Sequence, residues 1–412
     1  MTWEVIRAML VPIIFILVLD FYSYRAVKAA FRDRGKRTRN IARLIHFSLT
    51  LFFIGLILFV FLMADDANIK QLRRYVFPLF ALNIISKLIA VFFIFLEDLR
   101  RIFGWLWNKA KPKNDYNPER SKFMSKLALL LGTIPVLGLL YGTRNVYNYQ
   151  TRRVKLPLKN LPASFEGYKI VQISDIHIGS LTDKERFLEG FKMINAEKPD
   201  AVFFTGDLVN NVSTELEGWE EVLSTLRAKD GVFSILGNHD YGDYYRWNNK
   251  DEKKANLQLL KDYHNGFGWQ LLLDEHKYIE RPDGKLAIIG VENWGAARHF
   301  PKYGNLDTAC QGCEADVKLL LSHDPSHWDA QVRPNQPDID CTFSGHTHGF
   351  QLGFEIRDFR WSPSKLIYKQ WAGLYQKGEQ YLYVNRGYGV LGYPGRIGIM
   401  PEITVFELEG II

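Results

Sequence analysis

The chain has 412 residues, of which 47% are hydrophobic, 14% aromatic and 24% charged, a composition that excludes a disordered tail, a collagen-like fibre and a small disulfide scaffold. Its net charge of +7 divides unevenly: residues 1–155 carry 25 Lys/Arg against 9 Asp/Glu, net +16, and residues 156–412 carry 27 against 36, net −9. The basic excess lies among long apolar runs, which points to membrane topology, and the acidic remainder lacks the charge of a nucleic-acid groove, so no nucleic-acid partner is expected.

Four apolar runs open the chain, at about residues 5–24, 44–63, 75–96 and 123–141, each near the ~20 residues that cross a hydrocarbon core. The fourth contains Gly132, Pro135 and Gly138, which membrane helices tolerate. No basic segment precedes the first run and no small-residue cleavage site follows it, so it reads as a retained anchor. The connection Arg25–Arg43 holds eight Lys/Arg and one acid, and Glu97–Lys122 holds seven and four, against three and two in Ala64–Arg74. Positive-inside counting places the first and third connections in the cytoplasm and everything after the fourth run outside, although Arg144, Arg152, Arg153 and Lys155 pull the other way. A multi-pass protein of the cell membrane is expected, with the bilayer as partner and the following domain on the outer face. Lys87 falls within the third run. A charge there is costly and often functional, but with no second cluster of intramembrane ionisable groups a structural role is expected: facing a helix neighbour, pairing with Asp20, or snorkelling.

A Pro-punctuated linker over residues 146–164 separates the anchor region, 1–145, from a domain over 165–412. In that domain short apolar runs alternate with helical stretches. Runs at Tyr168–Ser174, Ala201–Thr205 and Val232–Leu236 flank helical stretches near Lys184–Glu197 and Leu216–Ala228; further strands fit Leu286–Val291, Val317–Leu321, Asp340–Phe343, Gln380–Asn385 and Ile403–Leu408. This alternation predicts an α/β sheet.

Nearly every apolar run ends in ligating residues: Asp175-Ile-His177, Gly206-Asp207, Gly237-Asn238-His239-Asp240, Ser322-His323-Asp324 and Gly345-His346-Thr347-His348-Gly349. The carboxyl ends of strands line the ligand crevice of an α/β sheet, so five loops far apart in sequence are expected to meet at one edge. Several histidines, several carboxylates and one carboxamide exceed what a single tetrahedral ion needs and suit two divalent ions with mixed N/O ligation, such as manganese, iron or zinc. Asp207, central to the set, is the natural carboxylate to bridge them. Two ions about 4 Å apart activate water and clamp the oxygens of a phosphoryl centre.

This order of motifs, D-x-H, G-D, G-N-H-D, S-H and G-H-T-H, resembles the calcineurin-like metallophosphoesterase superfamily, in particular its membrane-tethered bacterial branch, in which apolar helices precede the phosphoesterase domain. The resemblance covers about residues 156–412. It implies a two-sheet αββα sandwich behind a bundle of about four transmembrane helices. It implies Asp175, His177 and His348 on one metal, Asn238, His323 and His346 on the other, and Asp207 between them. His239 would not bind metal but would stabilise the transition state or protonate the leaving oxygen, and Asp240 would orient and tune His239. Metal-bound hydroxide would be the nucleophile, attacking in line without a covalent enzyme intermediate.

The expected function is that of a membrane-anchored, metal-dependent phosphoric ester hydrolase acting on phosphodiester or pyrophosphate bonds of a phosphorylated small molecule or a lipid-linked, membrane-proximal substrate. The alternatives are a UDP-2,3-diacylglucosamine-type pyrophosphatase of lipid A synthesis, which demands a cytoplasmic site, and a non-catalytic membrane sensor that only binds metal. Arg386 and Arg396, in a glycine- and cation-rich stretch, and Arg298 are candidate substrate contacts. Phe350 is expected to pack. The polar stretch Asp243–His264 reads as a small cap or membrane-facing rim, or as an ordinary surface helix. Cys310 and Cys313 form one C-x-x-C without a second pair, which favours a local disulfide or two loop thiols over a redox or metal role.

Overall fold

The computed structural model describes residues 3–62, 67–107, 118–297, 301–357 and 359–411. The chain divides into two compact units, Met1–Tyr141 and Gly142–Ile412.

The first unit is helical: α1 (Trp3–Ala30), α2 (Lys36–Leu62), α3 (Ala67–Trp107) and α4 (Pro118–Gly142). Among the described residues, Lys36–Val60, Val76–Gly104 and Glu119–Asn145 are long and apolar enough to cross a membrane. Their outward faces are apolar, with Phe52, Phe92, Leu130 and Leu137 exposed, while Asp20, Thr50, Asn83, Lys87, Glu97 and Ser125 are buried. That inversion suits a lipid surround, where packing and interhelical hydrogen bonds replace the hydrophobic drive between helices. At Gly132 a Cβ would stand 3.0 Å from the Ser86 carbonyl oxygen, so the glycine lets α4 approach the α3 backbone. Lys87 pairs with Asp20 at 2.7 Å, and His46 and Thr50 join the same carboxylate oxygen at 2.9 Å each. The expected pairing of Lys87 with Asp20 is present, and the expectation of no further ionisable group beside it is corrected by His46. His46 lies at the start of the apolar run of α2, where it reads as a helix-end residue until α1 and α3 are brought beside it.

The second unit is the expected sandwich. One six-stranded sheet runs in the order β1-β14-β2-β3-β4-β5, with β1 (Gln150–Leu158), β2 (Lys169–Ile173), β3 (Ala201–Phe204), β4 (Gly231–Ser234), β5 (Trp269–Leu271) and β14 (Glu402–Gly410). The other runs β12-β13-β9-β8-β7-β6, with β6 (Glu275–Arg281), β7 (Gly284–Gly290), β8 (Val317–Leu321), β9 (Cys341–Ser344), β12 (Gly373–Lys377) and β13 (Gln380–Val384). A separate hairpin joins β10 (Phe354–Ile356) to β11 (Phe359–Trp361). The two-residue period of a strand divides its side chains between layers. Ile170, Ala201, Phe203 and Phe233 meet Ile288, Leu319, Leu321 and Phe343 between the sheets. Their neighbours Val171, Ile173, Val202 and Phe204 face outward to Phe187, Phe191 and Ile194 of α5 (Lys184–Ala196) and to Leu260 of α7 (Lys250–Gly266). The far face of the second sheet packs on Leu306, Ala309, Trp328 and Val332.

Two expectations need correcting. Residues 150–158, placed in the linker above, form β1, which pairs with β14 in parallel over nine residues. The stretch 216–228 is not one helix: it holds the end of a short turn at Ser213–Leu216 and the single-turn helix α6 (Glu220–Leu223). Cys310, Cys313 and Cys341 are free thiols. Burial pushes the Cys310 thiol up to about 12, which keeps it in the neutral thiol form.

Candidate metal centre

The motif loops leave β2, β3, β4, β8 and β9 at their carboxyl ends and lace together through the backbone. Asp175 N–H donates to the Gly206 carbonyl at 2.9 Å, His177 N–H to the Asp207 carbonyl at 3.1 Å, and Gly345 N–H to the His323 carbonyl at 2.9 Å. Five candidate ligands hold left-handed backbone: Asp175 (φ 52°), His177 (48°), Asp207 (60°), His346 (70°) and His348 (50°). Each such residue costs about 1–3 kcal/mol and persists only where its surroundings over-determine it. Two glycines provide the necessary closeness. A Cβ on Gly237 would lie 2.3 Å from Asp207 Oδ1, and one on Gly345 would lie 2.2 Å from Asp175 Oδ2.

Two donor groups result, Asp175/His177/His348 and Asp207/His323/His346, each with its ligand atoms within 4.8 Å of one another. In the first, His177 Nε2 faces His348 Nε2 at 3.0 Å, and His348 Nε2 lies 3.2 Å from Asp175 Oδ1. In the second, His323 Nε2 lies 3.2 Å from Asn238 Oδ1, while His346 Nδ1 lies 2.8 Å from Asn238 Oδ1 and 3.3 Å from His323 Nε2. Asp207 Oδ2 stands between the groups, 3.1 Å from His323 Nε2 and 3.5 Å from His177 Nε2.

The atoms behind these donors fix which way they point. His323 Nδ1–H donates to the Thr205 carbonyl at 2.7 Å, which leaves Nε2 as the lone-pair nitrogen. The Asn238 amide donates to Tyr244 Oη at 2.9 Å and so turns its carbonyl oxygen inward. Tyr368 Oη, 2.7 Å from His346 Nε2, occupies the outer side of that ring. Behind His177 and His348 the buried Nδ1 atoms have no hydrogen-bond partner.

The set fits a pair of cations. Two imidazole nitrogens 3.0 Å apart satisfy each other only if one is protonated, and facing lone pairs repel; a cation resolves that conflict. Electrostatics agree. Burial pushes the His177 imidazolium far below its ordinary range despite Asp207. Burial also disfavours charge on His323, but Asp207 outweighs it and pushes that imidazole up to about 10. Asp207 thus favours positive charge at the second donor group, which a bound cation would supply.

His239 stands apart from both groups. Its backbone N–H donates to Asp207 Oδ1 at 2.9 Å and its Nδ1 meets the Asn210 carbonyl at 2.7 Å, leaving Nε2 as the unbonded nitrogen. The ring lies edge-on to His177 at 4.9 Å and against Tyr244 at 4.5 Å. Asp240 does not orient it. The Asp240 carboxylate is taken up by the backbone N–H groups of Asp207 (2.8 Å), Leu208 (2.8 Å), Val209 (3.2 Å) and Gly237 (2.8 Å), so it binds the Asp207 loop to the Asn238 loop instead.

The arginine expectations are corrected as well. Arg386 is buried between Glu355 and Glu402, with bonds of 2.5 Å to each. Arg396 is fully buried and donates to the carbonyls of Arg386, Gly387 and Gly389. Neither can meet a substrate. Arg298 lies outside the described residues. Phe350 does not pack; it is 55% exposed. The stretch 243–264 is no cap: α7 buries Leu260 and His264 against the first sheet, and only the turn before it reaches the site, through Tyr244. Tyr368 and Asn210 are site residues that no local sequence pattern marks, whereas Tyr244 falls in the stretch after the Asn238 loop that reads as a cap or rim.

Comparison with known proteins agrees with this geometry. Residues 168–350 match the calcineurin-like phosphoesterase family, and residues 6–145 match a family described as a probable calcineurin-like phosphoesterase, transmembrane domain. A metallophosphoesterase of Bacillus subtilis, YkuE, is 30% identical over 60% of this chain and 82% of its own length. A zebrafish transmembrane protein with a metallophosphoesterase domain is 28% identical over 78% of this chain and 71% of its own. Among solved structures, a Thermus thermophilus sulfate thiohydrolase, SoxB, aligns with 60% of this chain and 57% of its own at 13% identity and a TM-score of 0.34. By sequence and by the arrangement of its strand-end ligands, the chain belongs to the calcineurin-like metallophosphoesterases, with a transmembrane domain ahead of the phosphoesterase domain.

Proposed function

We propose that the second unit hydrolyses phosphodiester or pyrophosphate bonds of a lipid-linked or membrane-proximal substrate. Asp175, His177 and His348 would hold one divalent ion, Asn238, His323 and His346 a second, and Asp207 both. The observation that carries this reading is the position of Asp207 Oδ2, within 3.5 Å of a histidine from each donor group. Manganese, iron and zinc all suit the mixed imidazole, carboxylate and carboxamide set. Bound there, the ions would activate water and neutralise charge on the phosphoryl oxygens.

The protein's own groups supply the rest. The Asn210 carbonyl holds His239 by Nδ1–H, so Nε2 is the atom that would carry a proton to the leaving oxygen. Asp240, by gripping four backbone N–H groups, keeps the Asp207 and Asn238 loops in one register. Four membrane-spanning helices, counting α1, with the second unit on the outer face, remain our reading of the loop charges.

The test is turnover by the full chain in detergent. Metal-stripped protein is given bis(p-nitrophenyl) phosphate with manganese, iron or zinc. Activity that returns with metal, and is lost in Asp207→Asn and in His239→Ala while His239→Ala keeps its metal, is expected. A folded, metal-loaded protein without turnover on any diester, pyrophosphate or lipid-linked substrate would overturn the enzymatic reading.

A further inference from the structure

The second unit carries an apolar face outside both sheets. Eight of its fourteen exposed large apolar residues, among the described residues, fall between Phe350 and Ile367. Cross-strand pairing explains how they collect. Phe354 faces Trp361 and Ile356 faces Phe359, while Glu355 faces Arg360 between them, and alternate residues of a strand share a face. One face of the hairpin is therefore wholly Phe354, Ile356, Phe359 and Trp361, with the Phe354 and Trp361 rings stacked at 5.8 Å. The other face is bolted to the protein: Glu355 bonds Arg386 and Arg152, and Arg360 lies over the Tyr375 ring at 5.2 Å. A soluble hairpin would turn its apolar face inward. Here Ile356 is 66% exposed and Phe359 61%, and the following turn adds Leu366 at 83% and Ile367 at 70%.

We propose that this face lies in the surface of the lipid bilayer to which the chain is anchored. Three observations favour lipid as the occupant. Residues 356–369 hold four Lys/Arg and one acid, with Arg357, Lys365 and Lys369 exposed beside the apolar tips; aromatic and aliphatic tips ringed by cations suit an interface bearing anionic headgroups. The exposed apolar residues are concentrated in one short segment rather than scattered over the unit, as at interaction surfaces. Its root also lies close to the point where the chain enters this unit. Arg396 N–H donates to the carbonyl of Gly142, the unit's first residue, and the next residue, Ile397, accepts from Gly353 N–H at the base of β10.

The consequence reaches the metal centre. The segment that follows the hairpin carries Tyr368, whose hydroxyl meets His346, and it is pinned to the ligand loop by bonds from Ser362 Oγ to the Gly349 carbonyl (2.6 Å) and from Thr347 Oγ1 to the Trp371 carbonyl (2.6 Å). A bilayer-seated hairpin holds one wall of the site at the lipid surface.

The test uses the full chain in nanodiscs of phosphatidylcholine with phosphatidylglycerol. An environment-sensitive fluorophore is placed at Ile356→Cys and, as a control, at Glu379→Cys in the exposed turn between β12 and β13, with the background of the native thiols subtracted from the parent protein. The label at residue 356 is expected to be quenched by nitroxides on the acyl chains and shielded from aqueous iodide, and the label at 379 the reverse. In Ile356→Asp/Phe359→Asp, both changes on the exposed face, a label at Leu366→Cys is expected to lose its lipid quenching. Equal iodide access at 356 and 379 would overturn the proposal. Shielding of 356 in native membranes but not in nanodiscs would also overturn it, in favour of a protein partner. No turnover is read, so the outcome is independent of the proposed reaction.

Discussion

In the helical unit Asp20 meets Lys87, His46 and Thr50; in the second unit Asp207 meets His177 and His323, with Asp175, His346 and His348 close by. Both are buried carboxylate–imidazole clusters drawn from distant parts of the chain. They differ in charge inventory. Asp20 has a cation of its own at 2.7 Å, and donors converge on it. Around Asp207 nitrogen faces nitrogen at 3.0 and 3.3 Å, with no Lys or Arg in either donor group. A cluster that brings its own cation is closed; one whose lone pairs converge on each other asks for a cation from outside. Residue type alone does not separate the two, but donor counting does.

The largest effect should come from Asp207, the one group shared by both sets. Asp207→Asn keeps the shape and removes the charge. Metal-dependent hydrolysis is expected to fall on the order of 10³-fold, or about 4 kcal/mol of transition-state stabilisation. Metal content measured beside the rate decides how it falls: a protein that keeps both ions and full activity would show that Asp207 is not the bridge.

Next in size is the closed cluster. Lys87→Met leaves Asp20 buried without its cation and is expected to destabilise the helical unit by about 3–5 kcal/mol. Asp20→Asn/Lys87→Met should recover most of that, because an apolar or neutral pair carries no desolvation penalty. Thermal unfolding in nanodiscs reads both. Added metal should shift the unfolding of the second unit and not that of the first; a shift in the first would make the Asp20 cluster a metal site too.

A third kind of buried histidine sharpens the contrast. His264 has neither cation nor carboxylate: its Nδ1 meets Ser234 Oγ at 3.0 Å, and its Nε2 has no partner. Burial pushes its pKa down to about 3. The folded state thus keeps His264 neutral, while the unfolded chain takes up a proton near pH 6.5. Stability from this residue is complete above that pH and is lost as pH falls from about 6.5 toward 3, roughly 2 kcal/mol by pH 5. Denaturant unfolding of the wild type and of His264→Phe at pH 7.5 and pH 5 checks it; the two proteins should lose different amounts of stability over that interval, and parallel losses would refute the assignment.

These contrasts mark what was legible in the sequence. β2, β3, β4, β8 and β9 are buried on both faces and read as apolar runs, and polar residues crowd their ends because the loops there carry ligands. That pattern predicts an α/β sheet with ligating residues at one edge; the two-sheet sandwich and the set of seven ligands are what the family resemblance adds to it. β1 reads as linker because it is an edge strand, with Arg153 and Lys155 exposed and Arg152 partly so. The β10–β11 hairpin was missed because its strands are three residues long and their apolar face is turned outward. Arg386 and Arg396 looked like phosphate clamps because their partners, Glu355, Glu402 and a ring of carbonyls, are set by tertiary contact. The family resemblance assigns Asp240 to its neighbour His239, whereas its partners here are backbone N–H groups, which no sequence displays.

The smallest expected effect comes from the residues that orient the second donor group, and it separates orientation from ligation. Tyr368 Oη sits behind His346, and Tyr244 Oη behind Asn238, each on the atom that faces away from the cluster. Removing such an outer partner costs about 10–100-fold in metal affinity. Tyr368→Phe and Tyr244→Phe are each expected to weaken one ion toward the lower end of that range and to leave the other untouched, since Asp175, His177 and His348 contact neither tyrosine's hydroxyl. Competition titration with a metal-binding dye resolves the two ions by affinity. Loss of both ions in step would mean that the two donor groups fill as a single cooperative unit, with Asp207 coupling them more tightly than the separate hydrogen bonds behind each imidazole suggest.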